Sequence, residues 1–279
     1  MTPAQLQAAG RPALPQQTVP SRLVRARDAL ASEWTKLRSL RSNRLTLAIA
    51  VVVTLVLTAV VAETFASAPG AGNHPASIDR LAGSFLAYAE YTVLPVTVLS
   101  VLVFTSEYAS GLIRTTFSAV PRRGTVLAAK AAVTGAAALV VGEVLAFACF
   151  FLTQAILSGG HGGLSLAHPG ALRAVLAAGF TLAACALVGV GAGAVIRHTA
   201  GAIAAAVTVV YLLAVLCLAL PAPWNIRLGR FTLPYAAYAE VTGHPPAGLL
   251  SPWLSLLVLI GWPAAALLAA AAVLTRRDV

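Results

Sequence analysis

The residues able to do chemistry are few, and most can be assigned a duty from their surroundings. Cys149, Cys185 and Cys217 lie inside apolar blocks with neither CxxC nor Cys/His spacing, so they read as packing thiols, not as a disulfide framework or a metal site. His74, His161, His168 and His244 invite a metal hypothesis. However, His161 and His168 stand seven apart in a Gly-rich stretch, and no Asp, Glu or Cys completes a ligand set by spacing. The chain has two lysines, Lys36 and Lys130, and neither follows a glycine; a G-x-x-x-x-G-K-[ST] phosphate loop is therefore impossible. No G-x-S-x-G nucleophile elbow occurs either. The expectation is a chain that is not an enzyme by itself, with no catalytic residue, no metal and no cofactor of its own.

Two carboxylates, Glu90 and Glu143, sit within long apolar runs. A charge at the centre of a bilayer costs about 2.5–3.5 kcal/mol on insertion scales, so each should face protein or water. Glu90 precedes Pro95 by five residues, and Pro95 frees a backbone carbonyl. Two readings stay open for Glu90, Pro95 and Glu143: a polar patch on a substrate route, or protonated and hydrogen-bonded packing residues.

The elements that must position these groups follow from composition. Of 279 residues, 59% are hydrophobic and 10% charged, whereas a soluble domain needs about 25% charged residues to coat its surface. This excludes a water-soluble globule. A net charge of +10 would suggest nucleic acid in a soluble protein, but the placement of the charges points to membrane lipid and not to nucleic acid. Six apolar stretches are long enough to cross a bilayer as helices: 45–62, 81–105, 126–157, 171–196, 199–220 and 249–274. They are continuous runs, not alternating strands, so the expected class is an all-α integral membrane protein. With the N-terminus inside, fifteen of the 19 Lys and Arg fall on the cytoplasmic side. Only Arg80, Arg173, Arg227 and Arg230 fall outside, which orients both termini inward. Residues 1–20 read as a disordered cytoplasmic tail, and nothing before Leu45 is apolar enough for a signal peptide. Arg197-His198 joins the fourth and fifth spans so tightly that they should pair antiparallel. Gly189, Gly191 and Gly193 give the fourth span a small-residue face for close helix packing.

Two stretches on the inner side carry patterns. Over 21–44 an amphipathic helix is predicted, with Leu23, Ala26, Leu30, Trp34 and Leu37 in a sector of roughly 80° at about 100° per residue. Arg22, Arg25, Lys36, Arg27, Arg38 and Arg41 flank it, as suits a helix lying on anionic lipid. Over 107–117 a short helix is predicted, with Glu107 at its positive N-terminal end and Pro121 as its stop. Its apolar pairs are Tyr108/Leu112 and Ile113/Phe117. Composition leaves open whether it docks on another protein or lies flat on lipid. On the outer side, 221–248 is too long and aromatic for a turn. Trp224, Phe231, Tyr235 and Tyr238 suit a re-entrant or surface helix.

Several of these motifs together resemble permeases of the ABC-2 transporter family. They are Ser32-Glu33-Trp34-Thr35-Lys36-Leu37-Arg38, then Glu107-Tyr108-Ala109-Ser110-Gly111-Leu112-Ile113-Arg114, Val120-Pro121-Arg122-Arg123, Arg197-His198-Thr199-Ala200-Gly201 and the closing Arg276-Arg277-Asp278. The resemblance runs from about residue 30 to the end, in order around six spans. It implies a bacterial plasma-membrane exporter subunit that pairs with a second permease copy, homodimer favoured over heterodimer, and with cytosolic ABC ATPase subunits holding ATP and magnesium. It further implies that 21–44 is a connecting helix. It makes 107–117 the ATPase-coupling helix, carried by Glu107, Tyr108, Gly111, Leu112, Ile113, Arg114 and Phe117, with Ile113 and Phe117 as anchors in a partner groove. A proton-coupled carrier using Glu90 or Glu143, or a non-transporting immunity or sensor subunit, would share the topology.

Overall fold

The computed structural model describes residues 22–39, 41–67, 78–119, 123–157, 164–243, 245 and 247–276. The tail 1–20, His74, Val120, Pro121, Arg122, His161, His244, Arg277 and Asp278 lie outside the described residues, as do the side chains of Arg22, Leu23, Arg25, Ala26, Arg41 and Glu90. All regular structure among the described residues is helical. In order, the elements are α1 (Arg22–Ser39), α2 (Arg41–Ala66), α3 (Ile78–Ala109), α4 (Leu112–Ala119), α5 (Arg123–Leu157), α6 (Ala171–Ile196), α7 (Thr199–Val207), a π-helical turn (Thr208–Leu212), α8 (Leu213–Leu218), α9 (Trp224–Gly229), α10 (Leu233–Thr242) and α11 (Pro252–Arg276).

Six helical stretches are long and apolar enough to cross a membrane: Asn43–Ala66, Thr92–Ala109 within α3, α5, α6, Thr199–Leu218 and α11. Most of their ends lie within a few residues of the expected ones. The fifth differs in kind, because α7 and α8 are joined by the π turn and form no single α-helix. The run Thr-Val-Val-Tyr-Leu carries no local signal for that wider turn.

α6 is the centre of the bundle and packs on α3, α5, α7, α10 and α11. Its small residues permit this. A methyl group added at Gly189 would lie 2.6 Å from the Thr97 carbonyl of α3, and one at Gly193 would lie 2.7 Å from the Val101 carbonyl. Gly191, on the other side, meets Ala266 of α11 just as closely. Backbones approach to this distance only where Cβ is missing. The peripheral helices show the converse. Leu45, Ile49, Val52 and Val56 of α2 and Trp253, Leu257 and Leu268 of α11 stay exposed, an apolar area that a water-soluble chain would not leave bare.

Polar contacts inside the bundle are short and paired. The Thr54 and Thr92 hydroxyls, both buried, share a hydrogen bond of 2.6 Å between α2 and α3, and Thr58 donates to the Cys149 sulfur at 3.4 Å. Cys149, Cys185 and Cys217 are all buried thiols.

Candidate functional site

At one end of the bundle, four charged side chains from three helices close a ring of ion pairs. α1 offers Glu33 and Lys36 one turn apart, the last turn of α3 offers Glu107, and the start of α5 offers Lys130. Lys36 Nζ donates to Glu33 Oε1 at 2.7 Å and to Glu107 Oε1 at 2.8 Å. Lys130 Nζ donates to Glu33 Oε2 at 2.8 Å and to Glu107 Oε1 at 2.7 Å. Each carboxylate therefore bridges both ammoniums, and the two negative charges balance the two positive ones. Lys130 is almost fully buried at 1% exposure, with the Val103 carbonyl 3.3 Å from Nζ and the Phe104 ring centre 5.3 Å away. Lys36 is the member nearest solvent, with 42% of its side chain exposed. Burial works against the charge of Lys36, but the hydrogen bonds from its ammonium to Glu107 and Glu33 outweigh it and hold its pKa above the ordinary lysine value.

A buried ion is tolerated when it is paired and its hydrogen-bonding capacity is used. The ring meets that condition for Lys130, because one lysine in a helix of apolar residues has two carboxylates brought to it. It also fixes α1 against α5 and the end of α3. On α1 the bundle-facing side carries Glu33, whereas Leu30 and Trp34 remain exposed, with the Arg38 guanidinium 5.9 Å from the Trp34 ring. Leu37 is half-buried.

The segment 107–117 differs from its expectation. α3 continues through Glu107 and Tyr108 to Ala109, the chain turns at Gly111 in a left-handed conformation (φ 73°), and a separate helix, α4, begins at Leu112. Glu107 thus lies in the last turn of one helix and not at the positive end of another. Its position is set by Lys36 and Lys130, not by a helix dipole. Tyr108 and Leu112 consequently belong to different helices. The two apolar anchors also point inward. Ile113 is 3% exposed and packs with Phe104, Leu127, Val190 and Leu274 of the same chain; Phe117 is half-buried, 5.5 Å from the Arg123 guanidinium. The outward face of α4 instead carries Leu112, Arg114, Thr115 and Ser118.

Glu143 lies on α5 against α6. A methyl group on Gly179 would collide with its carboxyl group, and Oε2 is closed off from solvent with no hydrogen-bond partner among the described residues. Pro95 is partly buried within α3, which runs on through it. Glu33 joins the site without having been predicted there. Lys130 itself carries the signal for it, since a lysine two turns into an apolar helix needs a carboxylate, and Glu33 belongs to α1, the helix that precedes the six long apolar stretches.

At the other end of the bundle, the 221–248 stretch forms two short helices, α9 and α10. Trp224 and Phe231 are exposed, Tyr235 and Tyr238 are partly buried, and the Trp262 indole N–H donates to the Phe231 carbonyl at 2.9 Å. Glu240 of α10 is buried, with Oε1 unpartnered among the described residues. Burial pushes its carboxyl group above the ordinary carboxylate range, partly offset by the charge of Arg173 and a hydrogen bond from the Leu256 backbone N–H. No family model matches the chain, and no curated protein matches it.

Proposed function

We propose that the chain is the membrane-spanning permease subunit of an ATP-driven exporter of the ABC-2 type. In this reading it pairs with a second copy of itself to enclose the substrate route, and cytosolic ATPase subunits supply ATP hydrolysis. The observation that carries the reading is the ring of Glu33, Lys36, Glu107 and Lys130. It makes α1, the end of α3 and the start of α5 one connected unit, with the α3–α4 turn just beyond Tyr108. A motion delivered at α4 would reach three helices at once through such a unit. α1 then lies at the inner surface of the plasma membrane with Leu30 and Trp34 in lipid, both termini are cytoplasmic, and α4 presents Leu112 and Arg114 to the ATPase.

Co-purification tests this. The tagged chain is purified from its own membranes, and both capture of an ABC ATPase and stimulation of that ATPase's hydrolysis are measured in lipid. The reading fails if the ATPase neither binds nor changes its turnover. A proton-coupled carrier is the second reading, favoured by the unpartnered Oε2 of Glu143 within α5. Uptake that follows a proton gradient without nucleotide, and is abolished in Glu143→Gln, would select it.

A further inference from the structure

Beside the ring of ion pairs lies Arg197, whose guanidinium reaches Tyr108, the sequence neighbour of Glu107. Arg197 caps the C-terminus of α6 in a left-handed conformation (φ 61°), its backbone N–H returning to the Gly193 carbonyl at 3.2 Å. A side chain other than glycine holds such a backbone only when its surroundings demand it. The guanidinium lies over Tyr108, 5.3 Å from its carbon to the ring centre. Among the described residues, Nε and Nη2 of Arg197 are closed off with no acceptor in hydrogen-bond geometry, and the Tyr108 hydroxyl is closed off beside them with that guanidinium as its side-chain neighbour. Two guanidinium donors thus lie beside a hydroxyl, and the nearby Glu107 Oε2 is likewise buried and makes a hydrogen bond with none of them. Guanidinium does not shed its proton, so the mismatch cannot be relieved by neutralisation.

The surroundings add positive charge. The Arg123 guanidinium also acts electrostatically on Tyr108, while its Nη1 donates to the Leu274 carbonyl at 3.0 Å. Glu107, the sequence neighbour of Tyr108, also acts on it, but its Oε1 is bound to Lys36 and Lys130. Arg197 is only partly buried, so part of the side chain reaches the surface. The position is the junction of two apolar helices, α6 and α7. A planar guanidinium with a hydroxyl beside it matches the oxygens of a phosphate group.

We propose that Arg197, with Tyr108 beside it and Arg123 adding charge, binds a phosphate-bearing anion. The phosphate comes from an anionic lipid headgroup or from soluble phosphate; the recognition chemistry is shared. Binding supplies the missing counter-charge and ties the α6–α7 turn to the end of α3. The inference stands apart from the transport reading, since it concerns a ligand of this chain in the absence of any ATPase.

The test is binding to the purified full chain in neutral detergent at fixed ionic strength, with dioctanoyl phosphatidylglycerol, dioctanoyl phosphatidylcholine and inorganic phosphate as probes. Phosphatidylglycerol should bind, and Arg197→Gln should weaken it by about tenfold or more, the loss of one charge-assisted hydrogen-bonding partner. Arg114→Gln, on the outward face of α4, should leave binding unchanged. If inorganic phosphate binds with the same Arg197 dependence and displaces the lipid, the site stands and its source is soluble. If phosphate does not compete, the site stands as a headgroup site. Phosphatidylcholine bound as tightly as phosphatidylglycerol overturns the charge argument. Equal binding of phosphatidylglycerol and phosphate to parent and Arg197→Gln, or binding of neither to the parent, overturns the proposal. Should Arg197→Gln not be recovered folded, Tyr108→Phe removes the hydroxyl alone and should weaken the same probe by about threefold or more; affinity equal to the parent then decides against the site.

Discussion

Lys130 of α5 and Glu33 of α1 meet at 2.8 Å across 97 positions of sequence, and the lysine is buried almost completely where they meet. The pair fastens a helix that precedes every span to the interior of the third span. Each is held there by the other and by one further member of the ring, Glu107 for Lys130 and Lys36 for Glu33. The desolvation of two ions is offset only while their geometry and remaining hydrogen bonds are intact.

Removing one member should therefore cost far more than removing a surface charge. Lys130→Met is expected to destabilise the protein by about 3–5 kcal/mol, because it leaves two buried carboxylates sharing the one ammonium of Lys36. Lys36→Met should cost less, within about 1 kcal/mol, since the position is 42% exposed and water entering there replaces the ammonium while Lys130 still holds both carboxylates. Unfolding of both variants in the same detergent, followed by helical circular dichroism, compares them. Similar losses would show that Lys130 is solvated and the ring is not closed.

The ring also predicts coupling between distant positions. Glu33→Gln combined with Lys130→Met should be less damaging than the sum of the two single changes by about 1–3 kcal/mol, as for residues in one network. Additive effects would mean that α1 is held by its apolar contacts instead.

Glycine positions separate packing from propensity. Gly189→Ala must push a methyl group to 2.6 Å from the Thr97 carbonyl, and about 1–3 kcal/mol of destabilisation is expected from overpacking. At Gly261 of α11 an added methyl group would meet nothing within 4 Å. There Gly261→Ala should be neutral or stabilise by up to about 1 kcal/mol through helix propensity. Thermal unfolding of the two variants side by side decides; destabilisation of both by the same amount would mean that α6 and α3 do not approach so closely.

How much of this is legible in the sequence depends on whether a residue's neighbours are local. The six long helices follow from hydropathy, because bilayer length is a property of each run by itself. The close packing of α6 follows from Gly189, Gly191 and Gly193, whose missing side chains can serve few other ends. The inward turn of Ile113 is not legible. Apolar spacing of four marks one face of a helix but not what that face meets, and α4 meets its own bundle. Glu107 falls in a different helix from the expected one for a related reason. Gly111 is visible as a breaker, but the pull of Lys36, 71 positions away, is invisible until the chain is folded. The π turn at Thr208–Leu212 has no composition of its own.

Glu240 predicts a pH dependence. Its carboxyl group has a higher pKa folded than unfolded, chiefly through burial, with Arg173 and the Leu256 N–H opposing. A group raised in this way contributes stability that is fully present below the unfolded value, near 4.5, and lost as pH rises through the folded value. Glu240→Gln has no such titration. The melting temperature of the parent relative to Glu240→Gln should therefore fall as pH increases from about 4.5. A difference that stays constant from acid to neutral pH would show that the carboxyl group is solvated or fully paired.

The two faces of α4 give the test that bears most directly on the permease reading. Ile113 is buried with Phe104, Leu127 and Leu274, so Ile113→Ala should destabilise the chain by about 2–5 kcal/mol through cavity formation. Any loss of ATPase capture in that variant would be a consequence of damaged folding. Leu112 and Arg114 face outward, Leu112 at 57% exposure. Leu112→Ala with Arg114→Ala should leave the melting temperature within about 2 °C, as surface substitutions usually do. If α4 is the element that meets the ATPase, the same double variant should reduce co-purification or uncouple hydrolysis from transport, because exposed apolar and arginine anchors carry much of a docking energy. The two readouts separate cleanly, one moving with Ile113 and the other with Leu112 and Arg114. Unchanged capture and coupling in a fully folded Leu112→Ala, Arg114→Ala variant would assign the outward face of α4 to lipid and remove it from the coupling path.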